Sequence, residues 1–172
     1  MFGYAPEQDR ILNVQMGGRM VDSREYGINM GVWEDEDASV RQRNKDVVLR
    51  QHYEVWNQAR YDLIEDIYTE DYACHFIDGL ESAGREALLA FVSGHRASFP
   101  DWTEQVVDLV AEGDRVVSRY ISTGTHLGEF QGVPATGKKV SIPEVSVYRL
   151  ENGRIAEQWG FPDGVSLMKQ LT

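Results

Sequence analysis

Residues 124–171 decide the fold, and they read GTHLGEFQGVPATGKKVSIPEVSVYRLENGRIAEQWGFPDGVSLMKQL. A glycine- and proline-rich loop precedes an apolar strand from Lys139 to Leu150. Asn152-Gly153 is a strong β-hairpin signal, and the segment Arg154–Phe161 forms the return strand. The segment Asp163–Leu171 has the amphipathic period of a short helix. This order predicts a sheet curved over a pocket and closed by a terminal helix.

The upstream sequence predicts helices first and strands later. A helix from Ser39 carries apolar residues at helical spacing through Trp56. The further predicted elements are a short helix Asp62–Tyr68, a strand Tyr72–Ile77, a helix Gly84–Ser98 and strands Gln105–Glu112 and Arg115–His126. Hairpin-linked strands beside separate helices are typical of the α+β class, with the helices packed on one face of the sheet.

Residues 1–38 differ from the rest of the chain because they have no clear hydrophobic period. They nevertheless carry large apolar side chains such as Phe2, Tyr4 and Trp33, which a free tail seldom has. We interpret residues 1–38 as an N-terminal arm packed on its own domain or on a partner subunit. A partly disordered leader is the alternative. The domain itself is expected to span residues 39–172.

The composition excludes several classes of function. The formal net charge is −11, and a nucleic-acid groove or an acidic membrane surface would require a basic face instead. The single cysteine, Cys74, rules out an internal disulfide. The sequence contains neither a signal-peptide pattern nor an apolar run of transmembrane length. We therefore expect a cytoplasmic protein with no nucleic-acid or membrane partner.

Six short motifs carry a resemblance to a known family. They are Phe99-Pro-Asp, Glu112-Gly-Asp-Arg-Val-Val, Gly124-Thr-His-Leu-Gly-Glu-Phe, Pro134-Ala-Thr-Gly-Lys, Asn152-Gly-Arg-Ile and the stretch from Trp159 to Leu171. In this order, the chain from about Arg43 to Leu171 resembles the nuclear-transport-factor-2-like fold that ketosteroid isomerases share. Within that fold it is similar to the SnoaL-like polyketide cyclases and the ester-cyclase-like proteins.

The resemblance implies a conical half-barrel with a central cavity between the sheet and the helices. It also implies a homodimer, because a partner usually covers the open face of this sheet. The family closes rings by intramolecular aldol condensation, without metal or cofactor, using a histidine and an aspartate on the last two strands. Counting from the Asn152-Gly153 turn, those positions hold Ser146 and Gly160, which do not shuttle protons at neutral pH.

Three other residues are therefore our candidate catalytic groups. Glu144 shares a strand face with Ser146, and a carboxyl group in an apolar cavity has a raised pKa that suits a general base or acid. An exposed or interface glutamate is the alternative. His126 is either a proton shuttle or an anchor for the following loop. Asp163 is either catalytic or the N-cap of the last helix.

Six residues are candidates for substrate binding: Tyr53, Trp56, His75, Arg119, Ser146 and Trp159. Tyr53 and Trp56 line the cavity or simply belong to the core. Arg119 binds an anionic or carbonyl oxygen, or it forms an ion pair with Glu144 or Glu157.

No metal-ligand spacing and no dinucleotide or phosphate-loop motif is present in the sequence, so we expect neither a metal nor a cofactor. The sequence favours a cofactor-free acid/base enzyme acting on a hydrophobic carbonyl compound by cyclisation, isomerisation or hydration/dehydration. A non-catalytic ligand-binding or assembly module of the same fold is the alternative. An epoxide hydrolase, which would need two aspartates beside Arg119, ranks last.

Overall fold

The computed structural model describes residues 38–77, 79 and 81–172 in full, together with the backbone of residues 13–16 and 19–22. Strands β1 (Asn13–Met16) and β2 (Arg19–Asp22) pair antiparallel. The remaining residues of the expected N-terminal arm, and the packing predicted for it, lie outside the described residues. The chain divides into two compact units, Met1–Asp35 and Glu36–Thr172.

The second unit contains the other helices and strands among the described residues. In chain order they are α1 (Ala38–Arg50), a π-helical turn (Gln51–Asn57), a 3₁₀ turn (Tyr61–Leu63), α2 (Ile64–Ile67), β3 (Tyr68–Phe76), β4 (Glu81–Ala83), α3 (Arg85–Ser98), β5 (Thr103–Glu112), β6 (Arg115–Thr125), β7 (Lys139–Glu151), β8 (Arg154–Pro162) and α4 (Gly164–Leu171). No helix in the described part of the chain has the length and apolar character needed to cross a bilayer.

The second unit has one curved, unclosed sheet with the strand order β4-β3-β8-β7-β6-β5. Only the β3–β8 pair is parallel, and the other neighbours are antiparallel. The predicted α+β class and mostly antiparallel sheet are therefore confirmed. The three-residue strand β4 was not predicted, because it is too short to show an alternating pattern.

The β7–β8 hairpin turns at Asn152 and Gly153, as the sequence predicts. Both residues have positive φ, 50° and 74° respectively, as a type I′ turn requires. The turn and a β-bulge at Ala156 together set the register in which Ser146 lies opposite Gly160 on the two strands.

Strand alternation decides which side chains face the helices. On β6, Val116, Ser118, Tyr120 and Ser122 are buried, whereas the residues between them point to the outer face. Helices α1 and α3 cover the inner face with a core that includes Val48, Leu88 and Val92. Each large apolar side chain buried here contributes about 1.5–3 kcal/mol to the free energy of unfolding.

The start of β7 is an edge, which explains the tolerated Pro143. Residues 139–143 pair with β6 but not with β8, whose last partner is Glu144. On the open side, the side-chain amide of Gln170 in α4 accepts from Ser141 N at 2.8 Å and donates to Ser141 O at 3.0 Å. The Gln170 amide thereby takes the place of a neighbouring strand at Ser141.

Candidate functional site

A cavity of about 180 Å³ lies between the concave face of the sheet and the helices. Its apolar wall includes Trp56, Phe76, Leu88, Phe91, Ile142 and Leu167, and its polar groups include Glu104, Tyr120, Glu144, Tyr148 and Gln158. An apolar cavity of about 150 Å³ accommodates a benzene ring, so this one is large enough for one substituted ring.

The cavity adjoins an open depression of about 550 Å³ beside the N-terminus of α4. Gln131, Pro162, Gly164 and Met168 line both spaces and therefore mark where they meet. A ligand larger than one ring can thus extend outward past the beginning of α4.

Glu144 presents its carboxyl group to the cavity from β7. Its Oε2 accepts a long hydrogen bond of 3.5 Å from the Tyr120 hydroxyl. Burial raises the pKa of Glu144 from its usual 4.5 to about 8, and the nearby charge of Glu104 contributes to the increase. A carboxyl group with a pKa near neutrality can both accept and donate a proton under physiological conditions.

Glu104 is a second carboxyl group on the same cavity, and it is paired with His52. His52 Nδ1 lies 2.5 Å from Glu104 Oε2, and both side chains are almost completely buried. Burial raises the pKa of Glu104 to about 8 and lowers the pKa of His52 to about 3. His52 Nε2 lies 3.0 Å from Ser118 Oγ and 3.2 Å from the Tyr148 hydroxyl.

The π-helical turn positions His52 for this contact. It follows α1 without a break, and its wider winding buries both Gln51 and His52. At its end, Asn57 Oδ1 accepts from Glu104 N at 2.7 Å and Asn57 Nδ2 donates to Glu104 O at 2.9 Å. Arg96 donates to the carbonyl oxygens of Trp56 and Asn57. The turn is therefore fastened to the start of β5, next to Glu104.

A further set of hydrogen bonds supports Tyr120. Its hydroxyl lies 3.0 Å from Ser146 Oγ, which also accepts from Gln158 Nε2 at 3.3 Å. The Tyr72 hydroxyl donates to Gln158 Oε1 at 2.8 Å. Ser146 is completely buried behind these groups, so it orients Tyr120 and does not itself line the cavity.

The structure separates the two aromatic residues predicted from the first helix. Trp56 lines the cavity, as expected. Tyr53 does not, and it is 39% exposed. Its predicted place in the cavity is wrong, because the π-helical turn directs Gln51 and His52 inward instead.

Arg119 and His75 also lie away from the cavity. Arg119 is on the outer face of β6 and forms an ion pair with Asp108, in place of the expected Glu144 or Glu157. His75 bonds Glu157 at 3.0 Å and stacks on Trp159 with ring centroids 5.7 Å apart. Arg119, His75 and Trp159 are all absent from the cavity lining, so the structure does not bring these three predicted substrate contacts to the site.

His126 and Asp163 have structural contacts that match their alternative interpretations. His126 is completely buried, stacks on Phe99, and its Nδ1 lies 3.0 Å from Thr136 Oγ1 in the following loop. Asp163 Oδ1 accepts from Ser166 N at 2.9 Å and caps α4. Neither residue lines the cavity, so the geometry gives them loop-anchoring and helix-capping roles.

The aspartate position implied by the family resemblance is filled by a neighbouring ring. A Cβ at Gly160 would lie 2.9 Å from the Phe76 ring. Phe76 itself lines the cavity, so an aromatic face replaces the acidic group at this point of the wall. The acidic groups of the cavity are instead Glu144 and Glu104.

Sequence reasoning missed Glu104, His52, Tyr120 and Tyr148. Glu104 is buried near the start of β5 between the exposed Thr103 and Gln105, and a carboxyl group on the inward face of a strand is a signal that alternation can reveal. His52 gave no comparable signal, because its contact with Glu104 depends on the π-helical turn. No cluster of three or more His, Cys, Asp or Glu side chains suited to a metal ion occurs in the part of the chain that the structure describes.

Comparison with known proteins identifies the family. The family model for SnoaL-like polyketide cyclases matches residues 46–171. The aklanonic acid methyl ester cyclase DnrD of Streptomyces peucetius is 27% identical over 53% of this chain and 63% of its own length. The nogalonic acid methyl ester cyclase of Streptomyces nogalater is 25% identical over 67% of this chain and 88% of its own length.

A solved structure agrees with this assignment. A SnoaL-like protein from Jannaschia sp. CCS1 superposes with a TM-score of 0.74 at 27% identity, over 80% of this chain and 97% of that one. The chain therefore belongs to the SnoaL-like polyketide cyclase family.

Proposed function

We propose that this protein is an enzyme that moves a proton next to a carbonyl group of a hydrophobic small molecule, with Glu144 as the group that exchanges the proton. The observation that carries the proposal is the presence of two carboxyl groups, Glu104 and Glu144, both with pKa values raised to about 8, on one largely apolar cavity. Perturbed carboxyl groups in a concave apolar site are typical of acid/base catalysis.

The proposed reaction begins when ionised Glu144 takes a proton from the carbon next to a substrate carbonyl. The electron pair of the C–H bond moves onto the carbonyl oxygen and gives an enolate, which the Tyr120 hydroxyl can stabilise by donating a hydrogen bond. In a cyclisation, the enolate carbon then bonds to a second carbonyl carbon of the same molecule. The new alkoxide takes the proton back from Glu144, so the product is an isomer of the substrate.

Glu104 has a different part in this proposal. It is almost completely buried in the cavity wall, and its carboxyl group is held by the contact with His52. While Glu104 is protonated, it leaves Glu144 free to ionise, because two carboxylates close together do not ionise independently. Glu104 is therefore a positioning and tuning residue rather than the base.

The cavity and the relatives support a substrate class for this proposal. An apolar wall with few polar groups suits an aromatic or alicyclic ketone with one ring inside and the rest in the adjoining depression. Two relatives are named as cyclases of aklanonic acid methyl ester and nogalonic acid methyl ester. Both names support a cyclisable ester as the first compound to test.

A second candidate function is ligand binding without turnover. Ser146 and Gly160 occupy the positions that the family resemblance assigns to the catalytic pair, and this favours a binding module of the same fold. The same test separates the two functions, because only an enzyme would change its ligand.

The test is turnover of aklanonic acid methyl ester, with exchange of its acidic C–H protons in D₂O as a second readout. We expect an isomeric product by liquid chromatography and mass spectrometry, and a loss of rate of about 10²–10⁴ in Glu144→Gln with nearly unchanged binding. The matched control is Glu112→Gln at an exposed strand end, which should keep full activity. Equal rates for the Glu144→Gln variant and the control would eliminate the role of Glu144, and binding with neither product nor exchange would favour the binding module.

We also propose that the protein is a cytoplasmic homodimer that associates through the outer face of the sheet. Several partly exposed apolar side chains lie there, including Val110, Val117, Ile121 and Phe161. Light scattering should give the mass of a dimer, and Ile121→Glu should give a monomer with the same fold. A wild-type monomer at micromolar concentration would contradict dimer formation.

A further inference from the structure

The inward face of α4 lacks a side chain at its first position. Leu167 and Leu171 are buried and Met168 is half-buried, so these three residues form the face that the helix turns to the protein interior. Gly164 precedes them by three, seven and four positions and therefore lies on the same face of the helix. A side chain at position 164 would complete the apolar stripe, and glycine leaves a gap in it.

Neither the backbone nor the packing requires glycine at this position. Gly164 adopts the ordinary φ of a helical residue, which any amino acid can take. A Cβ added to Gly164 would have no neighbouring heavy atom within 4 Å, so a side chain would not collide with the wall. Glycine also favours a helix less than alanine or leucine does. Local structure therefore does not account for the glycine, and its position in the molecule becomes the question.

The gap lies where the cavity meets the open depression. Gly164 and Met168 line both spaces, as Gln131 and Pro162 do. Leu167, on the same face of α4, lines the cavity but not the depression. The free space at position 164 is thus part of the passage between the two spaces, which is bounded by residues 131, 162, 164 and 168.

The rim of this passage is held by local hydrogen bonds. On one side, Gln131 and Gly132 form a tight turn with φ values of 47° and 80°. The flanking residues Phe130 and Val133 exchange two backbone hydrogen bonds of 3.0 and 2.9 Å across that turn. On the other side, the carboxylate of Asp163 caps the first turn of α4. Both sides are thus fixed by contacts of their own, and the opening exists without any displacement of α4.

Apolar side chains continue on the outer side of the passage. Ile77 and Val165 line the depression, and at 71% and 68% they are the most exposed large apolar side chains in the described part of the chain. Exposed apolar side chains grouped beside a cavity are typical of a ligand-binding groove. A flat apolar group that leaves the cavity past Gly164 would cover both of them.

We propose that Gly164 is a specificity-determining residue, because its missing side chain is the passage through which a ligand enters the cavity and a second ring extends outward. The inference rests on the proposed function, and it adds the residue that sets the length of the ligand. The inner ring of such a ligand shares the cavity with Glu144, and a second ring in line with it occupies the passage and the depression. The preferred ligand is therefore an elongated ketone rather than a compact one.

The test compares acetophenone with 4-acetylbiphenyl, which carries one additional ring in line with the first. We expect wild-type protein to bind 4-acetylbiphenyl at least about tenfold more tightly, since the second ring leaves water for an apolar surface. Gly164→Leu fills the gap, so it should reduce the affinity for 4-acetylbiphenyl to that for acetophenone. The affinity for acetophenone, which fits inside the cavity, should change by less than about twofold. Its association and dissociation rates, measured from NMR line shapes, should both fall by the same factor.

The matched control is Gly94→Leu. Gly94 is also a helical glycine with no heavy atom within 4 Å of an added Cβ, but it lies in α3 and lines neither the cavity nor the depression. Leucine favours a helix over glycine, so both variants should fold. Gly94→Leu should bind both ketones as wild type does.

A second readout separates this inference from the proposed function. Exchange of the acetophenone methyl protons in D₂O depends on Glu144, so Glu144→Gln should lose the exchange and keep the preference for 4-acetylbiphenyl. Equal affinities of wild type and Gly164→Leu for 4-acetylbiphenyl would overturn the passage and leave the proposed function intact. A selective loss of 4-acetylbiphenyl binding in Gly164→Leu, with no exchange in wild type, would support the passage and contradict the role of Glu144. Failure of both ketones to bind wild type would overturn both proposals.

Discussion

His52 Nδ1 lies 2.5 Å from Glu104 Oε2, although 52 positions separate the two residues in the chain. Because burial raises the pKa of the acid to about 8 and lowers that of the imidazole to about 3, the carboxyl group holds the proton at neutral pH and donates it to Nδ1. His52 Nε2 lies within hydrogen-bond distance of Ser118 Oγ and the Tyr148 hydroxyl, so the imidazole links the Glu104 carboxyl group to both hydroxyl groups.

The first prediction concerns the electrostatic link between the two carboxyl groups. The charge of Glu104 contributes to the raised pKa of Glu144, so Glu104→Gln should lower the pH midpoint of Glu144. The midpoint can be followed by ¹³C NMR of the labelled carboxyl group, and by the pH dependence of turnover. The Glu112→Gln control should leave the midpoint unchanged. An identical midpoint in Glu104→Gln and wild type would show that the two groups titrate independently.

The second prediction concerns stability against pH. Glu104 and Glu144 have folded pKa values raised from 4.5 to about 8, so the folded state binds more protons in that range and the free energy of unfolding falls as pH rises through it. His52 and His95 have pKa values lowered from 6.5 to about 3 and about 4, so they contribute stability that is lost as pH falls below 6.5.

The contributions of the carboxyl groups and the histidines oppose each other between about pH 4.5 and 6.5, so we expect the free energy of unfolding to be greatest there. Above pH 6.5 only the carboxyl groups of these four residues still contribute, and stability should decline. Urea unfolding from pH 5 to 9 measures the decline. Glu144→Gln should reduce it by an amount on the order of 1 kcal/mol at pH 9. A decline of the same size in Glu144→Gln would contradict the raised pKa of this residue.

The third prediction tests the close packing of Phe76 on Gly160. A Cβ at Gly160 would lie 2.9 Å from the Phe76 ring, so Gly160→Ala should cost about 1–3 kcal/mol. Gly94→Ala is the control, because no atom lies within 4 Å of the added Cβ and alanine favours the helix by about 1 kcal/mol. Phe76→Leu in the Gly160→Ala background should recover much of the loss. Additive effects in that double-mutant cycle would show that the two residues do not compete for space.

The fourth prediction separates capping from catalysis at Asp163. Asp163→Ala removes the acceptor for Ser166 N and should destabilise the protein by about 1 kcal/mol. Asp163→Asn can still cap and should be close to wild type in thermal unfolding. Both variants should turn over aklanonic acid methyl ester at the wild-type rate per folded molecule. A large loss of rate in Asp163→Asn would restore this residue as a catalytic candidate.

Local patterns predicted most of the fold. The Asn152-Gly153 turn and the alternation along β6 and β7 are properties of neighbouring residues, so the hairpin and the inward face can be read from the sequence. Glu144 was placed on the cavity for the same reason, since it alternates with the buried Ser146.

Contacts that join distant elements could not be predicted in this way. The Glu104–His52 pair needs the π-helical turn, whose wider winding leaves no mark in a helical period of 3.6 residues. Arg119 was misplaced because its neighbours Val117 and Ile121 suggest a buried face, although in the structure they are 36% and 37% exposed. Apolar residues on the outer surface of a sheet give the same alternation as those in a core.

The hydrogen bonds between Gln170 and β7 link access to the cavity with protection of the strand edge. The helix that carries Gln170 also places Leu167 and Met168 against the cavity, so the same helix lines the cavity and pairs with the main-chain groups of Ser141. An outward displacement of α4 large enough to admit a larger ligand would leave the main-chain groups of Ser141 unpaired at a free strand edge. Another chain could then add a strand at that edge. A wider opening to the cavity would therefore increase the tendency of the protein to self-associate.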